Sequence, residues 1–120
     1  MPTILVVDDE RYIRDLIKKA LKNSVYTVLE ATGGHEAQEI LRNNDVDMLI
    51  IDLVMPHKGG IETFIETRES NKNIKIIAIS GKIRTQNDSI QELAQQFHID
   101  SVLSKPFDLD ELKAKVQELI

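Results

Sequence analysis

Two hydrophobic patterns take turns along the chain. Strand-like stretches rich in Val, Ile and Leu recur at Thr3–Val7, Val25–Ala31, Met48–Asp52, Ile74–Ser80 and Ser101–Ser104. The third, M-L-I-I, shows no polar alternation, the pattern of a central strand covered on both faces. Between these stretches apolar residues return every three or four positions, the spacing of one helix face. The first set is Ile13, Leu16, Ile17, Ala20 and Leu21, and the second is Ala37, Ile40 and Leu41. A third helix is predicted from about Gly60 to Glu69. A fourth, around Gln86–Phe97, would bury Ile90, Leu93, Ala94 and Phe97, and the last carries Leu109, Leu112, Val116 and Leu119. Turn residues fall at the junctions: Thr32-Gly33-Gly34, Asn43-Asn44, Met55-Pro56 with Gly59-Gly60, the Gly81–Arg84 loop, and Lys105-Pro106. Asp108 and Glu111 have capping-box spacing, with Asp in place of Ser or Thr.

Strand and helix thus alternate five times without an internal repeat. This predicts an α/β fold: a doubly wound parallel sheet with right-handed crossovers and helices on both faces. Connections are short and no linker divides the chain, so one domain over residues 1–120 is expected.

Composition narrows the classes. A chain of 120 residues, 42% hydrophobic and 29% charged, has the makeup of a soluble globular domain able to build a core. No apolar run reaches the roughly 18 residues of a membrane span, so no membrane insertion is expected. Met1-Pro2-Thr3-Ile4 lacks the features of a signal peptide, and a cytoplasmic location is expected. Zero Cys excludes disulfides and thiolate metal sites. A net charge of −5 argues against nucleic-acid binding through a basic surface.

In a parallel sheet the C-terminal ends of the strands share one edge, where open α/β sheets bind ligands. Asp8 and Asp9 follow the first stretch, Asp52 ends the third, Ser80 the fourth, and Lys105 follows the fifth. Three carboxylates, a hydroxyl and an ammonium are therefore expected at one rim. Two carboxylates about 4 Å apart repel by roughly 4 kcal/mol at an effective dielectric near 20. A hard divalent ion, Mg²⁺ foremost, would offset that and leave room for water and a phosphate oxygen. His35, His57 and His98 are scattered and read as surface residues, so no His or Cys ligand set competes. Taken singly, Asp8-Asp9 could be a helix cap, Asp52 a turn, Ser80-Gly81 a turn and Lys105-Pro106 a strand terminator. Those readings leave the shared edge unexplained.

Four motifs now carry a resemblance: V-V-D-D-E at Val6–Glu10, D-L-V-M-P-x-x-G-G at Asp52–Gly60, I-A-I-S-G at Ile77–Gly81, and S-K-P-F at Ser104–Phe107. Each alone is weak; in this order, each at a strand end, they are specific. The chain resembles a response-regulator receiver domain from Ile4 to about Leu119. The resemblance implies a flavodoxin-like sheet in the order 2-1-3-4-5 and a phosphorylation switch of bacterial two-component signalling. It implies that Asp52 is the phosphoacceptor, and that Asp8, Asp9, Asp52 and the backbone carbonyl of Val54 hold Mg²⁺. Lys105 would pair with Asp52 and then with a phosphoryl oxygen, and Ser80 would donate its hydroxyl to the phosphoryl group. The Lys105-Pro106 bond would be cis. The implied partners are a sensor histidine kinase or phosphotransfer protein and a downstream output domain or protein. The output surface would be the last two helices and the strand between them, with Gln91, Gln95, Lys113 and Gln117 exposed. Such a protein is not an enzyme in the ordinary sense, but assists its own phosphorylation and dephosphorylation.

Departures bear on the switch. Val102 stands where many receivers carry an aromatic residue, which puts hydroxyl–aromatic coupling in doubt and motivates the alternative of a pseudo-receiver interaction module that does not use phosphate. Gly59-Gly60 is expected to loosen the turn beside the site, and Val54 and Lys82 border the route of an attacking water. A hydrolase using an aspartyl phosphate would place a second acid at Val54, and Asp8-Asp9-Glu10 would repel a flavin phosphate. The chain ends where a receiver ends, so either a free-standing regulator or a piece of a longer protein is expected.

Overall fold

The computed structural model describes residues 1–22, 25–55, 59–80, 95–96 and 98–120. Its strands are β1 (Thr3–Val7), β2 (Thr27–Ala31), β3 (Met48–Asp52), β4 (Lys75–Ser80) and β5 (Ser101–Ser104). Its helices are α1 (Arg11–Ala20), α2 (Gly34–Asn43), α3 (Gly60–Ser70) and α4 (Leu109–Leu119). The Gly81–Arg84 loop, most of the Gln86–Phe97 helix, and Pro56, His57 and Lys58 lie outside the described residues.

The strands form one sheet in the order β2-β1-β3-β4-β5, every pair parallel. This is the flavodoxin-like doubly wound order. All five residues of β3 are buried, the four of its unbroken apolar run and Asp52 at its end.

Strand alternation sorts the side chains into two cores. Leu5, Val7, Leu49, Ile51, Ile76 and Ala78 pack with Ala37 of α2 and Phe64 of α3. Ile4, Val6, Met48, Ile50, Ile77 and Ile79 pack with Ile17 of α1 and with Leu112 and Val116 of α4. Helices therefore cover both faces. Asp52 continues the Met48–Ile50 series, and Ser80 continues Ile76–Ala78.

Two strand starts and one helix cap depart from expectation. β2 begins at Thr27, not Val25, because its ladder starts opposite Thr3 and the Thr27 N–H donates to the Pro2 carbonyl at 2.9 Å. Val25 lies in an exposed turn. β4 begins one residue late, at Lys75, with Ile74 buried just before it. At α4 the Asp108 carboxylate caps the Asp110 N–H at 2.8 Å, so the bond goes to the second helical position and not to Glu111, the third. No described helix is long and apolar enough to cross a membrane.

Candidate functional site

The rim at the C-terminal strand ends gathers the charged residues that the strand order brings there. Asp8 follows the last residue of β1 and is 1% exposed; Asp52 closes β3 and is 3% exposed. Burying carboxylates is costly unless they are paired or bound to a cation. Asp52 meets that cost with two donors: the Val54 N–H reaches Oδ1 at 2.9 Å and Lys105 Nζ reaches Oδ2 at 3.0 Å. The Lys105 ammonium also lies 3.3 Å from Asp8 Oδ2. Lys105 is positioned by its own N–H, which donates to the Ser80 carbonyl at 2.8 Å, and its bond to Pro106 is cis, as the resemblance implied.

Asp8 is hydrogen-bonded at one oxygen only, the other facing the Lys105 ammonium. Its Oδ1 accepts the Glu10 N–H at 2.8 Å, while Oδ2 is buried and accepts no hydrogen bond. Burial raises the Asp8 pKa from 3.8 to about 6; the Asp52 charge adds to this, while the Glu10 N–H and Lys105 oppose it. For Lys105, burial pulls downward, but the hydrogen bond and charge of Asp52, with Asp8 behind them, outweigh it and the pKa is raised. The ammonium is thus held charged between two carboxylates.

Asp9 is exposed and completes a triad: one oxygen each from Asp8, Asp9 and Asp52 lie within 4.8 Å of one another. Three hard carboxylate donors, two of them from buried residues, suit a hard cation such as Mg²⁺ and not a soft metal. Ser80 is buried at the end of β4, one position beyond Ile79, which pairs with Asp52. Val54 is exposed beside the rim. Gly60 corrects the expected loose turn: a Cβ there would sit 1.9 Å from the Asp52 carbonyl oxygen, so α3 begins hard against the end of β3. Gly59 has open space.

Of the other residues singled out from sequence, His35 and His98 are exposed, Met48 is fully buried, and Val102 is half-buried against the α2–α3 core. Gln95, Lys113 and Gln117 are exposed; Gln91, Lys82, His57 and Phe97 lie outside the described residues.

Sequence reasoning missed Arg14 and Glu30. Arg14 is 8% exposed; its Nη1 donates to the Asp8 main-chain carbonyl at 2.8 Å and its Nε to Glu30 Oε1 at 2.9 Å. Glu30 also pairs with Lys18, and these two cations, Lys18 first, lower its pKa. The available signal was a basic residue on the inward stripe of α1, three before Ile17 and seven before Leu21.

A doubly wound sheet with an acidic cluster and a lysine at its rim defines a class, and sequence comparison supplies the family. Residues 4–117 match the response regulator receiver domain, and the chain belongs to that family. It is 33% identical to response regulator MprA of Mycobacterium sp. strain KMS over 119 residues, 98% of this chain and 50% of that protein. The chain spans about half the length of the curated relatives it matches. The receiver domain of Francisella response regulator 1452 superposes with a TM-score of 0.86 at 30% identity, covering 99% of this chain and 96% of that one. Response regulator TrrA of Thermotoga maritima, solved in complex with Mg²⁺ and BeF, gives 0.86 at 34% identity over the full length of both chains.

Proposed function

We propose that Asp52 accepts a phosphoryl group from the phosphohistidine of a sensor histidine kinase or phosphotransfer protein, and that the chain thereby acts as a Mg²⁺-dependent conformational switch. The observation that carries this reading is the Lys105 ammonium set between the Asp52 and Asp8 carboxylates, 3.0 and 3.3 Å away, at the end of β3. The TrrA complex supports it, because beryllium fluoride is a chemical stand-in for a phosphoryl group.

A carboxylate oxygen of Asp52 attacks phosphorus as the P–N bond to the donor imidazole breaks, and the bonding pair leaves on that nitrogen. The Val54 N–H orients the attacking carboxylate, and Lys105 follows the negative charge from the carboxylate onto a phosphoryl oxygen. Ser80 donates its hydroxyl to another phosphoryl oxygen. Asp8, Asp9, Asp52 and the Val54 carbonyl are the residues that would hold Mg²⁺, which when bound neutralises charge on the phosphoryl oxygens. The phosphorylated face is read by an output domain or by a separate partner.

The test is intact mass after incubation with Mg²⁺ and a small-molecule phosphodonor, for wild type and Asp52→Asn. One added phosphoryl group on wild type alone, lost with chelator, is expected. Equal labelling of Asp52→Asn would move the acceptor elsewhere. No labelling of wild type, together with no Mg²⁺ binding by titration, would favour an interaction module that does not use phosphate.

A further inference from the structure

The acidic loop after β1 is fixed at three points that the phosphorylation chemistry does not use. The Asp8 N–H donates to the Ala31 carbonyl at 3.2 Å, Asp8 Oδ1 accepts the Glu10 N–H, and the Asp8 carbonyl accepts Arg14 Nη1 at 2.8 Å. That carbonyl belongs to the peptide joining Asp8 to Asp9, so its orientation sets both carboxylates relative to β3. Arg14 is in turn held by Glu30 on β2 at 2.9 Å. The planar guanidinium spans strand and loop with two N–H groups in fixed directions, which a single ammonium cannot do.

We propose that Arg14, braced by Glu30, is a positioning residue for cation binding by Asp8 and Asp9, an inference that rests on the Mg²⁺ reading above. Two effects of Arg14 on a bound cation have opposite signs, which makes the proposal decidable. As a permanent positive charge beside the acidic pair, Arg14 opposes a divalent cation, so charge alone predicts tighter binding once it is removed. As a brace it pre-sets the ligands, so its removal weakens binding. Groups that orient metal ligands commonly matter at this level.

The experiment is calorimetric titration of the full chain with MgCl₂, beside denaturant unfolding without metal, for wild type, Arg14→Met, Glu30→Gln and Glu30→Ala. Arg14→Met is expected to weaken Mg²⁺ binding by about tenfold in protein that is still folded. Glu30→Gln keeps an oxygen acceptor for Arg14 Nε and is expected to bind close to wild type, whereas Glu30→Ala falls between. A merely structural role would lower the unfolding midpoint and leave the affinity of the folded protein unchanged. Unchanged or tighter binding by Arg14→Met overturns the proposal and leaves Mg²⁺ binding itself standing. Should Arg14→Met fail to fold, Glu30→Ala is read against Glu30→Gln, which removes the same charge: weaker binding by the Ala variant than by the Gln variant supports the brace, and equal binding overturns it. If wild type binds no Mg²⁺, the underlying reading falls, and this inference with it.

Discussion

Asp8 is buried with one oxygen that accepts no hydrogen bond and a second carboxylate close by, and its pKa of about 6 lies above the ordinary 3.8. A raised acid favours the folded chain in its protonated form. That contribution is full below about pH 4 and is lost as pH rises through 6, a change of up to about 3 kcal/mol in metal-free protein. Denaturant midpoints of wild type and Asp8→Asn, taken without metal across this range, should separate as pH rises, with the Asn variant the more stable at neutral pH. A gap that does not vary with pH would contradict the assignment. Cation affinity should run the other way and weaken as pH falls through 6, because only the carboxylate is a ligand. Asp8, Asp9, Asp52 and Lys105 were legible in the sequence because each stands at the end of a hydrophobic stretch. Arg14 and Glu30 were not, because their partnership depends on how α1 lies over β2, which no sequence spacing states.

Elements were legible where their hydrophobic pattern is strong, as in the unbroken run of β3 and the helical period of α1. α3 was also expected, from about Gly60 to Glu69, and spans Gly60–Ser70, but its buried face carries little apolar signal. Its buried residues include Thr63, Phe64 and Thr67, a face that does not read as apolar. The hydroxyls are satisfied within the helix, Thr63 Oγ1 donating to the Gly59 carbonyl at 2.9 Å and Thr67 Oγ1 to that of Thr63 at 2.8 Å. With their polar atoms occupied, both threonines pack as small apolar groups. The start of α3 also carries a sharp contrast between two adjacent glycines. Gly60→Ala would drive a Cβ into the Asp52 carbonyl and the Leu53 Cα, backbone atoms that cannot rotate aside. A loss of about 3 kcal/mol, with weaker phosphorylation of Asp52, is expected from denaturant unfolding and mass measurement. Gly59→Ala meets open space and should cost no more than about 1 kcal/mol as a change of N-cap. Equal losses at the two positions would mean that close packing at Gly60 is not what matters.

Across the molecule, Lys105 joins β5, an edge of the sheet, to charges at the ends of β1 and β3. Lys105→Met leaves two buried carboxylates facing one another, a kind of change that costs about 3 to 5 kcal/mol. Thermal melts should show a metal-free variant well below wild type and a larger rise on adding Mg²⁺ than wild type shows. Melting at the wild-type temperature without metal would mean that the ion pairs add nothing. At this scale the order of elements was read from alternation alone, and the strand order and rim followed from the resemblance and the topology of parallel sheets.

One consequence follows from the alternation that sorts the sheet's side chains. Asp52 is the last position of the layer packed against α1 and α4, and Ser80 the last of the layer packed against α2 and α3. A ligand bonded to both residues is therefore tethered to two separately packed bodies of side chains, with the backbone of the sheet as the partition between them.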